Sequence, residues 1–323
     1  MNRILKLFNK VKRNLAHTII LIGILFTNDL FSQQVTHYSM YYFNNFMLNP
    51  AVAGSRKCYE IKLGYRTQWV GFESAPQTMF ISGHGRLKSK NSNNRRGGSS
   101  YQGLGAYVIK DDTGPIGKLG AHLSYAIHIP LNRYITAGVG LSIGVMQFRV
   151  SSGELRPAVA PDPAVSSLSS ISPDANLGVW LYSKDFYAGL AARQVLPVSL
   201  TGTQNKLATH LFLHLGYKYM INDDIALIPS TLVRMGMITP ATFDVTVKAD
   251  WRNIIWLGIS YRKVEGMVGM VGFTLGNFLD IGYAFDFTLS KLQQYSSNSH
   301  EIIIGIRPKC GGGKNSRHCP AYM

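Results

Sequence analysis

Residues Asn49–Phe72 read NPAVAGSRKCYEIKLGYRTQWVGF. A turn-like entry, Asn49 to Ser55, precedes the first run in which apolar and polar residues alternate. Extended, that run puts Tyr59, Ile61, Leu63, Tyr65, Thr67 and Trp69 on one face and Glu60, Lys62, Gly64, Arg66 and Gln68 on the other. The second face is too polar for the dry core of a soluble protein. It meets bulk water or lines a wet cavity, and the rest of the chain has to decide between the two.

From Cys58 onward the chain reads as about fourteen strands of roughly ten residues each, separated by turn residues. Their approximate spans are 58–70, 77–88, 101–110, 116–130, 133–149, 174–183, 185–196, 209–221, 224–236, 241–250, 254–263, 266–275, 278–290 and 299–307. In the fifth, Ile135, Ala137, Val139, Leu141, Ile143 and Val145 oppose Tyr134, Thr136, Gly138, Gly140, Ser142 and Gly144. Long alternation with small or polar residues on the second face suits a wall between lipid and a narrow, wet interior.

The connections give an independent test, because outer-membrane barrels alternate tight periplasmic turns with longer external loops. Tight turns at Leu131-Asn132, Lys184, Asn222-Asp223, Arg252-Asn253 and Asn277 all join even to odd strands. The longest connections, Val150 to Pro173, Pro197 to Ala208 and Lys291 to Asn298, join odd to even. A soluble sandwich has no reason to sort its loops this way. The fold class is therefore all-β, a transmembrane β-barrel of antiparallel strands. One connection departs from the rule: Lys88 to Ser100 is long and basic where a tight turn belongs.

Composition agrees, with apolar content high at 46% and charged content low at 15%. The N-terminus carries Arg3, Lys6, Lys10, Lys12 and Arg13, then an apolar run from Thr18 to Phe26. That run is shorter than the ~20 apolar residues of a spanning helix and has the order of an export signal, with cleavage expected near Ser32-Gln33. Losing residues 1–32, with five basic residues and Asp29, takes the formal charge from +16 to +12. The remaining basic balance belongs to surface and loops, since no nucleic-acid motif is present. The expected organisation is a signal peptide (1–32), a periplasmic or lumenal segment (33–56), the barrel (57–307) and a periplasmic tail (308–323). Residues 33–56, rich in aromatics and amides, follow no clear period: they form an irregular leader or a segment tucked into the lumen.

No nucleophile elbow, P-loop, zinc helix or Rossmann turn appears in a supporting context, and no cofactor or metal is expected. Gly138, Gly140 and Gly144 recur at period two and make room inside a narrow lumen. His84, His122, His128 and His214 fall on lumenal faces, as do Asp244, Asp250, Asp280 and Asp286. Polar residues pairing across a barrel account for them better than a rim-active hydrolase. Of three cysteines, Cys310 and Cys319 form the expected disulfide, which leaves Cys58 free.

The residues Asn49, Pro50, Ala51, Gly54 and Ser55, then Tyr65, Arg66, Gln68, Trp69, Gly71, Phe72, Pro76 and Thr78, resemble the opening of the PorP/SprF family. These are outer-membrane proteins of the type IX secretion system. The resemblance implies a non-enzymatic barrel in the outer membrane of a Gram-negative bacterium, serving protein secretion or gliding motility. Implied partners are periplasmic ring proteins of the secretion system or the C-terminal domains of secreted adhesins. The alternative is a pore or transporter for small solutes. On this reading Asn49 to Ser55 is the bend leading from a periplasmic leader into the first strand.

Overall fold

A computed structural model describes residues 38–87, 99–151, 168–196, 208–236, 240–263, 266–276, 278–289 and 298–308. The strands are β1 (Glu60–Thr67), β2 (Gln77–Arg86), β3 (Tyr101–Thr113), β4 (Ile116–Pro130), β5 (Thr136–Val150), β6 (Leu168–Tyr182) and β7 (Phe186–Arg193). They continue with β8 (His210–Tyr217), β9 (Tyr219–Met220), β10 (Ile225–Gly236), β11 (Thr242–Trp251), β12 (Ile255–Arg262), β13 (Gly266–Leu275), β14 (Leu279–Thr288) and β15 (Ser299–Ile306). Each pairs antiparallel with its neighbours in sequence, except that β8 and β9 both pair with β10, and β1 closes the ring on β15 from Ile61↔Ile306 to Thr67↔His300. Closure leaves no edge, which lipid requires because nothing there can hydrogen-bond a free backbone.

The ring has fourteen strands although fifteen segments form ladders, since β8 and β9 are one strand in one register on β10. The break falls beside Ile228 and Pro229 of β10. Proline has no N–H to give the ladder, while on the other side the Lys218 N–H continues the β7–β8 register to the Asp185 carbonyl at 2.6 Å.

Side chains alternate in and out along the wall as the sequence predicts. Leu123, Val139, Ile143, Leu257 and Ile259 stand exposed on the outside, whereas His84, His122, His128, His214, Asp244, Asp250, Asp280 and Asp286 are buried inside. Aromatic side chains mark both outer rims, with Tyr59, Tyr134, Tyr219, Trp251 and Phe278 at one and Phe72, Phe243, Tyr261 and Phe287 at the other. The choice between water and cavity for the polar face of β1 resolves to the cavity.

The even-to-odd turns share one end, but the opposite end is not uniformly long: β3 and β4 join there through Gly114-Pro115 alone, with Thr113 paired to Ile116. Asn132 and Asn222 use the same device, each side-chain oxygen accepting from the backbone N–H groups two and three residues on. At Trp251–Ile254 both central residues, Arg252 and Asn253, have φ near +55°, the twist-matched hairpin turn. Asn277 lies outside the described residues, although Leu275 and Leu279 pair on either side of it. The basic connection Lys88 to Ser100 is also mostly outside them.

Two expectations give way. The sixth strand starts at Leu168, six residues before the predicted 174, and pairs with β5 from Val150 onward. Its early part, Ser169 to Pro173, has little apolar alternation to announce it; the long β5 ladder carries it. Cys58 is disulfide-bonded and not free. The expected Cys310–Cys319 pair lies outside the described residues. Ile61 pairs with Ile306, so Cys58 sits where the chain leaves β15.

Candidate functional site: the plugged lumen

The lumen is occupied by the chain's own Tyr38–Ser55. Nearly every residue of this stretch is buried, with Met40, Asn49, Ala51 and Ala53 fully so. It coils through one 3₁₀ turn (Tyr41–Asn44), one α turn (Asn45–Leu48) and a second 3₁₀ turn (Pro50–Val52). Compact turns let backbone groups bond locally where no ladder is within reach. Aromatic contacts seat the plug: Tyr38 stands edge-on to Phe80, Tyr42 edge-on to Trp256, and Phe46 edge-on to Tyr107.

The Asn49-Pro50-Ala51 motif lies against the inner wall, which corrects its expected place as a bend below the barrel. Asn49 Oδ1 accepts from the Ala51 N–H at 3.0 Å, while Nδ2 donates to the carbonyls of Val179 at 3.0 Å and Leu190 at 3.3 Å. Wall glycines make this approach possible. A Cβ at Gly178 would fall 2.0 Å from Asn49 Oδ1, one at Gly140 2.3 Å from the Ala51 nitrogen, and one at Gly103 2.0 Å from the Ala53 carbonyl oxygen. The period-two glycines do make room, and Gly138 and Gly140 make it for Ala51. Gly144 instead accommodates the His122 ring.

Charged clusters tie both ends of the plug. At the short-turn end Glu60 pairs with Arg56 at 2.7 Å, Lys62 at 3.0 Å and His84 at 3.2 Å. Lys62 also donates to the Phe43 carbonyl, and the Gly54 N–H donates to His84 Nδ1. Toward the long-loop end Arg66, Arg234 and Arg262 interleave with Asp244, Asp286 and Glu301. There the Ser39 and Met40 N–H groups donate to Glu301, Ser39 Oγ donates to Asp286, and Arg262 donates to the Tyr38 carbonyl. Burying so many ions is tolerable only because each meets an opposite charge or a hydrogen-bonding group.

Replacing Asn49 by Ala removes a cap and two donated bonds, and about 2–3 kcal/mol of barrel stability should go with them. Asn49→Asp should cost more than the alanine change, because it points a carboxylate oxygen at two carbonyls. Urea-unfolding midpoints in detergent check both.

The predicted motif residues divide among three places. Asn49, Pro50, Ala51, Gly54 and Ser55 belong to the plug. Arg66 and Thr78 face the lumen, Arg66 on Asp286 and Thr78 on Asp111 at 2.7 Å, while Tyr65 faces outward. Gln68, Trp69, Gly71, Phe72 and Pro76 build the β1–β2 turn, with Gln68 N–H on the Pro76 carbonyl. Trp69 and Gly71 hold positive φ there, and the Trp69 and Val70 N–H groups reach Ser299 Oγ and the Asn298 carbonyl. Sequence reasoning passed over Asp174, which accepts from His122 at 2.8 Å, and Glu301, which anchors the plug. Among the described residues no three of His, Cys, Asp or Glu converge as metal ligands.

The family model of type IX secretion system membrane protein PorP/SprF matches residues 30–306. The chain belongs to the PorP/SprF family. No curated protein matches it. Among solved structures this family member is similar to the CymD monoaromatic hydrocarbon channel, at 11% identity and TM-score 0.49, over 86% of this chain and 94% of that one. A Pseudomonas aeruginosa FadL homologue matches at 12% identity and TM-score 0.46, over 83% and 92%. The translocator domain of the autotransporter NalP from Neisseria meningitidis matches at 11% and 0.40, over 78% and 89%. The PorP/SprF motif thus corresponds to three physical parts: a lumenal plug, the faces of β1 and β2, and the turn that joins them.

Proposed function

We propose that this PorP/SprF-family barrel is a non-enzymatic interaction scaffold of the type IX secretion system in the outer membrane, reached through a cleaved signal peptide. The observation that carries the reading is the plug: among the described residues the lumen is filled by Tyr38–Ser55, tied at both ends. The long-loop mouth faces the exterior and the cargo or adhesin. The short-turn end and residues 308–323 face the periplasmic ring proteins.

Deleting residues 308–323 should leave the barrel inserted and reduce co-purification of ring proteins to background. Unchanged co-purification sinks the assignment of the tail. Because that deletion also removes both other cysteines, Cys58→Ser with the tail retained separates loss of a bridge from loss of the tail.

A further inference from the structure

One part of the outer wall is concave. Ile61, Gly83, Ala106, Leu123 and Ile143 lie at one height across β1–β5, each paired with the next. The two small residues in the middle leave a groove of about 760 Å³, walled by Ile61, Leu104 and Leu123. That lies within the ~300–1,000 Å³ typical of small-molecule sites.

The fold does not require the missing side chain. A Cβ at Gly83 would meet nothing nearer than 3.8 Å, an ordinary contact, whereas one at Gly85 would fall 2.2 Å from the Tyr59 ring. Gly85 is demanded by packing, and Gly83 leaves space that the chain does not use.

We propose that this groove holds one acyl chain of a phospholipid from the leaflet at the short-turn end. Among the described residues it opens on the lipid-facing wall, and it is continuous with the exposed Leu63 and Ile81. Tyr59, lining its lower end, belongs to the aromatic rim that sits at headgroup level. Lys57, exposed two residues before Tyr59, supplies a cation at the height of the phosphate. A wall of uniform Leu and Ile exchanges its annular lipid freely; a chain seated on Gly83 and Ala106 makes contacts on three sides and stays.

The test reconstitutes the full-length protein in phosphatidylethanolamine liposomes containing a trace of analogue with a photoreactive acyl chain. Adducts should fall on peptides containing Ile61, Leu104 or Leu123 about tenfold above those containing Val247 and Ile259 on the β11–β12 wall, the change in occupancy expected from about two methylene contacts. Gly83→Leu and Ala106→Leu, each with unaltered heat-modifiable migration, should lower the first set to the level of the second. Uniform labelling of the wild-type wall overturns the proposal, and so does focal labelling that both variants leave intact. Adducts linking two copies through this wall, or protection of it seen only in native membranes, would assign the groove to protein and also overturn it.

Discussion

Deletion of Tyr38–Ser55 is expected to convert a barrel silent in planar bilayers into one carrying a steady single-channel current. Eight-stranded barrels are filled by their own side chains, while those of 16–18 strands hold an aqueous channel, so about fourteen leaves space that something else must fill. Here the inward faces of β3, β5 and β6 carry Gly103, Gly140 and Gly178, and the volume they vacate is taken by plug backbone. With the plug gone, that strip becomes a trough running along the lumen. The wall survives the loss, because its ladder closes independently through β1 and β15. Lumenal ions that lose plug partners, such as Glu301 without the Ser39 and Met40 N–H groups, gain water in exchange. A silent deletion variant with normal heat-modifiable migration would mean that wall side chains alone seal the lumen. A conducting wild-type barrel would mean that the plug leaves a path, and would move the functional reading toward a solute pore.

What the sequence could reveal follows from how far apart the interacting residues lie. Strand faces are legible because alternation is local. Ile281, Tyr283 and Phe287 point outward and Asp280 and Asp286 inward in the structure, as a period of two requires. The turns at Asn132 and Asn222 are legible because turn chemistry is local too, although length alone does not sort the two ends, since Gly114-Pro115 closes a turn equally tight at the other. The sequence leaves the plug open between an irregular leader and a lumenal segment, because its partners are scattered. Ser39 is held by Glu301, 262 residues away, and Asn49 by carbonyls 130 and 141 residues away. Its buried tyrosines and amides have no period, since they match a wall assembled from many strands. The bonded state of Cys58 is hidden for a related reason, since closure of the ring, and nothing near Cys58 in sequence, brings the base of β1 beside the end of β15.

The charge network gives the second large effect. Asp244 is fully buried, accepting from Arg234 at 2.5 Å and Arg262 at 3.3 Å. Asp244→Ala leaves two buried guanidinium groups short of a counter-ion, and removing one partner of such a buried pair costs about 3–5 kcal/mol. Asp286 cannot make up the loss, because it lies 3.7 Å from Arg262 and already pairs with Arg66 at 2.8 Å. The contrast is Asp224, exposed in the turn before β10, whose hydrogen bond from Arg252 at 2.9 Å holds its carboxyl below the ordinary range. Water screens that pair, so Asp224→Ala should barely move the urea midpoint. Asp244→Ala combined with Arg262→Met should recover part of the single-variant loss, because one orphaned charge leaves with the anion. Arg262 also donates to the Tyr38 carbonyl, so disturbing it loosens the upper anchor of the plug. Asp244→Ala should therefore show brief current bursts in bilayers where the wild type is silent and the Tyr38–Ser55 deletion conducts steadily. Equal midpoints for Asp244→Ala and Asp224→Ala would mean that the lumen is hydrated well enough to screen its ions, and the plug would then owe its place to aromatic packing and the Asn49 contacts.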